Sequence, residues 1–357
     1  MNRRAALRRL ARERAADESW LPAREETLGR RAWLKRAGAA TVGLGAAIAT
    51  NNAVLGYGTV TGTNITEQSM DSMAARPFLE MERRAPVPGG RLEIDRRGER
   101  LTVRGDGVRR LSLAEATPAM AREAATAVGV DPETVGETTA DVLAIQADDV
   151  RWEPVTFDAF RETVAAGTPR PVTTGLLRAR YTDANPETVA AFTGADPADP
   201  VATAYALAEA FRETTYYDVP RYLAGSIQYN VLLNLVKLRP YLRSDTSFEA
   251  LAAGRTRGMF CQELTHRSIE AFHAPSVLEQ SPPVASVVAF DPRHRHNYTA
   301  LATVTRRAGD LVVPIAFLDY THSTLYDDLN LRGVLGEGLE AYNSRHRARE
   351  LTWWQHR

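Results

Sequence analysis

Gly258-Met259-Phe260-Cys261-Gln262-Glu263-Leu264-Thr265-His266-Arg267-Ser268-Ile269-Glu270-Ala271-Phe272-His273 is the stretch on which the reading of this chain turns, and it holds the one cysteine among 357 residues. At about 100° per residue, Cys261, Leu264, Thr265, Ser268, Ala271 and Phe272 fall on one side, and Glu263, His266, Arg267, Glu270 and His273 on the other. The spacing predicts an amphipathic helix with Cys261 at its inward N-terminal end and a solvated polar face opposite. Unpaired N–H groups at a helix N-terminus carry partial positive charge, which favours thiolate and lowers a thiol pKa of about 8.5 by roughly one unit or more. Thiolate is the form that attacks carbonyls. The competing reading of a lone cysteine is a small buried apolar filler, so the rest of the chain must supply a base.

All seven histidines follow Cys261. Beyond the helix, Val284 to Phe290 reads as a continuous buried strand, Tyr298 to Val304 alternates, and Leu311 to Leu318 is apolar around Pro314. A proline there puts the last strand at an edge or a bulge. His294 and His296 stand before the second strand, His322 follows the third, and Asp319 closes the third. A cysteine nucleophile needs a base within hydrogen-bond reach and a third group that holds the imidazole tautomer. Cys261, His296 and Asp319 offer all three from a helix tip and two neighbouring strands.

Upstream of the cysteine, residues 201–213, 219–238 and 247–253 have helical spacing, with Gly254 as a stop. Helices, a nucleophile helix and then three antiparallel strands predict an α+β fold: a helical block followed by a short antiparallel sheet. In Cys261-Gln262-Glu263, His296-Asn297-Tyr298 and Asp319-Tyr320-Thr321 the chain resembles the transglutaminase-like (papain-like) superfamily. That core carries G-x-C-x-[DE] at a helix start, His-x-aromatic opening a strand and Asp-x-Thr ending the next. The resemblance covers about residues 200–325. It implies that Cys261 attacks an amide carbonyl, that His296 serves as base and then acid, and that Asp319 orients it. Gln228 is the upstream side chain offered, beside the Cys261 N–H, for the oxyanion. In this chain Gly258 lies three residues before the cysteine where the family has two, Thr265 stands where a small Ala is usual, and a Gly-Ile-Pro type turn after the helix is missing.

A metal site is the opposing chemistry, because His294, His296, Asp319, His322 and Cys261 are all acceptable zinc ligands. Glu263 to His266 and Glu270 to His273 are also Glu-x-x-His units, but both lie on one helix roughly 10 Å apart along the axis and cannot surround one centre. The expectation is a thiol site with no metal and no cofactor, acting on a peptide or protein substrate. A metal-binding surface protein and a non-catalytic transglutaminase-like envelope protein are the alternatives.

With 44% hydrophobic and 25% charged residues the chain reads as globular, and its length suggests two domains once processing segments are set aside. Residues 1–50 hold 11 basic and five acidic side chains of the 44 of each in the chain, which leaves residues 51–357 at about −6 and argues against a nucleic-acid partner. One cysteine allows no intrachain disulfide.

Arg30-Arg31-Ala32-Trp33-Leu34-Lys35 followed by an Ala/Gly-rich apolar run resembles a twin-arginine export signal, with Ala47-Ile48-Ala49 as a cleavage site. Export to the cell surface or outside follows from that resemblance, and an uncleaved run 37–50 would serve as membrane attachment. The boundaries read as a leader and signal over 1–50, a smaller mixed α/β region over 51–195 and the transglutaminase-like cysteine domain over 196–357. Within the middle region, Pro86-Val87-Pro88-Gly89-Gly90 reads as a linker-like stop, RLEID and RLTVR as a hairpin, 113–128 and 156–166 as helices, and Asp141 to Gln146 as a strand. Asp131-Pro132 and Asn185-Pro186 read as helix starts.

Overall fold

In the computed structural model, residues 83–95, 100–107, 109–178, 184–230, 232, 235–238, 245–291, 296–321 and 350–352 are described. The export signal, the run 37–50, His294 and His322 lie outside them. The chain divides into two compact units, one of residues 60–222 and 239–357, the other of residues 1–59 and 223–238.

The first elements of the larger unit among the described residues are a four-stranded antiparallel meander: β1 (Arg83–Val87), β2 (Gly90–Ile94), β3 (Leu101–Gly105) and β4 (Arg110–Leu113). The Pro-Val-Pro-Gly-Gly stretch is therefore a hairpin, not a linker. Val87 pairs with Gly90, Pro88 sets the first turn angle, and Gly89 takes φ +81°, a value that favours glycine. Pro86 is tolerated because β1 is an edge strand.

Two helices follow, α1 (Pro118–Val128) and α2 (Pro132–Gln146). Asp131 caps α2 by accepting from Thr134 N, with Pro132 in the first turn. Asp141 to Gln146, read as a strand, continues this helix: Val142 and Ile145 are buried three apart, and the buried Asp141 carboxylate accepts from Arg170, Thr173 and Arg306. That carboxylate is satisfied only by residues far along the chain, which local periodicity does not report.

Next come β5 (Arg151–Pro154), α3 (Phe157–Ala166), β6 (Thr168–Pro169), α4 (Pro171–Leu177), α5 (Pro186–Thr193), α6 (Pro200–Thr214) and β7 (Tyr216–Tyr217). Helix α7 (Val219–Asn230) is shorter than the predicted 219–238 and passes from the larger unit into the smaller. After α8 (Phe248–Ala252) come β8 (Gly258–Met259), α9 (Cys261–His273), β9 (Ala285–Asp291), β10 (His296–Ala302), β11 (Thr305–Arg307), β12 (Asp310–Leu318) and β13 (Glu350–Thr352).

The predicted antiparallel order β9-β10-β12 is present, so the fold is α+β. The sheet is larger than expected: among the described residues it has seven strands, in the order β13-β9-β10-β12-β11-β6 with β5 parallel to β12. Strands β5 and β6 come from the chain before residue 195, so that boundary does not separate the sheets. Pro314 is not at an edge. Ile315 pairs with Ala302 of β10 and Val312 with Thr305 of β11, so on one flank Pro314 falls where β10 hands over to β11, and its missing N–H costs no ladder bond there.

Alternation along β10 and β12 splits the core. Tyr298, Ala300, Ala302, Val313, Ile315 and Phe317 pack with β1–β3, α1, α2 and α4, while Leu301, Ala316 and Leu318 pack with α3, α5, α6, α8 and α9. Helix α9 thus lies on one face of the sheet. Among the described residues no helix is long and apolar enough to cross a membrane.

Candidate active site

Cys261 is the first residue of α9, after an extended Phe260 at φ −131° and ψ 170°. Its N–H belongs to the first turn, where backbone donors have no intrahelical acceptor. Phenylalanine has no acceptor to cap that turn, so only the Glu263 half of a capping box forms, with Oε2 accepting from Phe260 N–H at 3.4 Å. Inside the helix, Thr265 Oγ1 donates to the Cys261 carbonyl at 2.8 Å, and Ser268 Oγ hydrogen-bonds Thr299 Oγ1 of β10. The threonine in place of Ala is accommodated because its hydroxyl has that acceptor.

The helix's far end is held by Arg178, which is fully buried. It donates to the carbonyls of Val284 at 2.8 Å, Pro275 at 2.9 Å and Phe272 at 3.4 Å, and pairs with the Gln280 side chain. A buried cation thus gathers one carbonyl of the last helical turn with two from the chain beyond it. The polar side of α9 is not solvated as predicted: Glu270 and His273 are buried, because the helix packs on two sides. Glu270 pairs with Arg267 at 2.6 Å, and His273 Nε2 accepts from Ser286 N–H of β9 at 2.8 Å. Glu270 and His273 thus each have a partner within the fold.

The three residues expected to converge do so. His296 opens β10 and Asp319 follows β12, both buried. His296 Nε2 lies 2.9 Å from Asp319 Oδ2, and Asp319 Oδ1 accepts from Thr321 N–H at 3.0 Å, which gives the Asp-x-Thr sequence a local reason. The Cys261 thiol hydrogen-bonds the His296 ring. Tyr298 stacks on the ring at 6.0 Å and 21°, fixing its plane.

Electrostatics follow from this chain of bonds. Burial pushes the Cys261 thiol up, but the His296 hydrogen bond and charge, the Asn297 backbone N–H and the Tyr217 hydroxyl outweigh it and hold the thiol below its ordinary value. Burial likewise disfavours the imidazolium, yet the Asp319 charge and hydrogen bond, with Cys261, hold His296 well above the usual imidazole range. Both shifts favour a thiolate–imidazolium pair, which titrates as a unit.

No family model, curated protein or solved structure matches this chain.

The site residue that the sequence reading missed is Tyr217. Strand β7 pairs in parallel with β8, Tyr217 opposite Met259, and Asp218 N–H donates to the Met259 carbonyl at 2.8 Å. The tyrosine is thereby delivered beside Cys261, where its hydroxyl bonds the sulfur. The paired Tyr216-Tyr217 before Asp218 was the available signal, but a two-residue strand has no periodicity. Gln228, the expected oxyanion donor, lies in the segment 223–238 of the smaller unit, where it is buried and its Oε1 accepts from Leu238 N–H at 2.9 Å. Among the described residues, no three His, Cys, Asp or Glu side chains are grouped as metal ligands. Asp319 and Cys261 both engage the His296 ring.

Proposed function

We propose that this protein is an exported enzyme carrying out thiol-dependent acyl transfer or hydrolysis on a peptide or isopeptide amide, in a domain of transglutaminase-like arrangement. The observation that carries the reading is the His296 ring bridged between the Asp319 carboxylate and the Cys261 thiol. In the resting pair, His296 holds the proton and Cys261 is thiolate. The sulfur adds to the substrate carbonyl, and the Cys261 N–H and an upstream donor receive the developing oxyanion. Tyr217, whose hydroxyl bonds the sulfur, is the first candidate for that donor, and Gln228 is the other. His296 then gives its proton to the leaving amine, leaving a thioester. Water or a second amine, deprotonated by His296, attacks the thioester and regenerates the thiol.

Residues 30–49 would direct export by the twin-arginine route, and residues 37–50, if retained, would keep the enzyme at the membrane. A peptide or protein is the substrate class.

An activated ester tests the chemistry without knowledge of the natural substrate. Incubation with p-nitrophenyl acetate should give a burst of nitrophenol and one acetyl group on Cys261 by peptide mass mapping. The Cys261→Ala and His296→Ala variants should give neither. A folded parent with no acetyl on Cys261 would overturn the reading.

A further inference from the structure

Arg221 is buried at 3% exposure and has no part in the chemistry described above. Its guanidinium collects four groups around the start of the nucleophile helix. Nη2 donates to the Gly258 carbonyl at 2.7 Å and pairs with Glu263 Oε2. Nε lies 3.4 Å from Asp218 Oδ2, and the guanidinium carbon sits 5.2 Å from the Phe260 ring centroid. Asp218 returns the grip by accepting the Arg221 backbone N–H on Oδ1 at 3.0 Å. Gly258 belongs to the same construction, since a Cβ there would come within 2.7 Å of Asp218 Oδ2. The glycine three residues before the cysteine thus makes room for a carboxylate.

We infer that Arg221 is a positioning residue for the nucleophile: it clamps β7 and β8 to the first turn of α9 and cancels the Glu263 carboxylate two residues from Cys261. An uncompensated carboxylate so close would oppose a thiolate on sulfur. Glu263 is at the same time the side chain that caps the helix through Phe260 N–H. The helix start therefore needs an acid for its geometry and a cation to remove that acid's electrostatic cost. The other charged or titratable groups around the thiol are His296 and, through it, Asp319, with Tyr217 and Asp218 on the β7 side. The inference rests on Cys261 being a nucleophile.

The test is the rate of iodoacetamide alkylation of Cys261 against pH in the full chain, with circular dichroism as the check on folding. Arg221→Gln should move the profile to higher pH by about one unit, and Glu263→Gln, which keeps a capping side chain, should move it to lower pH. The double variant Arg221→Gln, Glu263→Gln should return close to the parent, a rescue that a purely mechanical clamp does not give. A folded Arg221→Gln variant that titrates like the parent overturns the inference, and so does a double variant that stays with Arg221→Gln. If Arg221→Gln does not fold, Glu263→Gln alone decides: a shift to lower pH supports the clamp, and no shift or an upward one overturns it. Alkylation reads the thiol whatever acyl group is transferred. Failure of the ester burst with an Arg221-dependent profile therefore sinks the proposed reaction and leaves this inference standing.

Discussion

Asp319 faces His296 with one carboxylate oxygen and the Thr321 N–H with the other, at 2.9 Å and 3.0 Å, so the imidazole is held from a carboxylate that is itself held. Asp319→Asn keeps the shape and removes the charge that most strongly raises His296. Cys261 should then alkylate only at higher pH, and ester turnover should fall by about 10²–10⁴-fold. Iodoacetamide kinetics and the ester assay check both. An Asp319→Asn enzyme of parental rate would remove Asp319 from the site.

Tyr217→Phe deletes one hydrogen bond to the sulfur and the first oxyanion candidate. The expected result is a loss in kcat of about 10²-fold, with a modest upward shift in the thiol titration. Gln228→Ala, made in parallel, should cost less. The reverse order of effects would give the oxyanion role to Gln228.

His273 gives a stability prediction with a definite sign. Burial, and then the Arg178 charge, hold it well below the ordinary imidazole value, so it is neutral in the native state and accepts from Ser286 N–H. The unfolded chain takes up that proton below pH about 6.5. Stability is therefore complete above that pH and declines as pH falls, by at most about 1.4 kcal/mol per unit for one group. His273→Gln keeps an acceptor and does not titrate, so urea midpoints between pH about 7 and about 5 should fall less steeply for the variant than for the parent. Parallel slopes would show that His273 contributes nothing to acid lability.

Arg178→Leu would leave the carbonyls of Phe272, Pro275 and Val284 without their buried donor. A loss of about 3–5 kcal/mol is expected, measured by chemical denaturation. A cost below about 1 kcal/mol, that of one ordinary hydrogen bond, would mean that water or a rearranged loop replaces the guanidinium.

Export is tested on Arg30 and Arg31. Replacing both with lysine should leave the protein in the cytoplasm, as judged by fractionation and immunoblotting. Undiminished secretion of that variant would contradict the twin-arginine reading.

The amino-acid sequence by itself determined the elements whose cause is local. The Asp131-Pro132 and Asn185-Pro186 starts are caps whose side chains reach only two or three residues along. The 3.6-residue spacing that buries Cys261, Leu264, Thr265, Ser268 and Phe272 is a property of one helix, and β9, β10 and β12 were legible as two continuous apolar runs and one alternating run of strand length. His296 and Asp319 were legible as a pair because each stands at the end of one of those strands. Tertiary structure decided the rest, wherever a group is satisfied by a residue distant in sequence. Asp141 sits in a helix where a strand was expected, held by Arg170 and Arg306. His273 is buried because the polar face of α9 meets β9 in place of water, its ring accepting from Ser286 N–H. Tyr217 and Arg221 reach the nucleophile through a two-residue parallel pairing, too short to leave a periodic trace. Periodicity reports how one element meets solvent, whereas a buried charge or a thiol's hydrogen-bond partner depends on which elements the whole chain brings together.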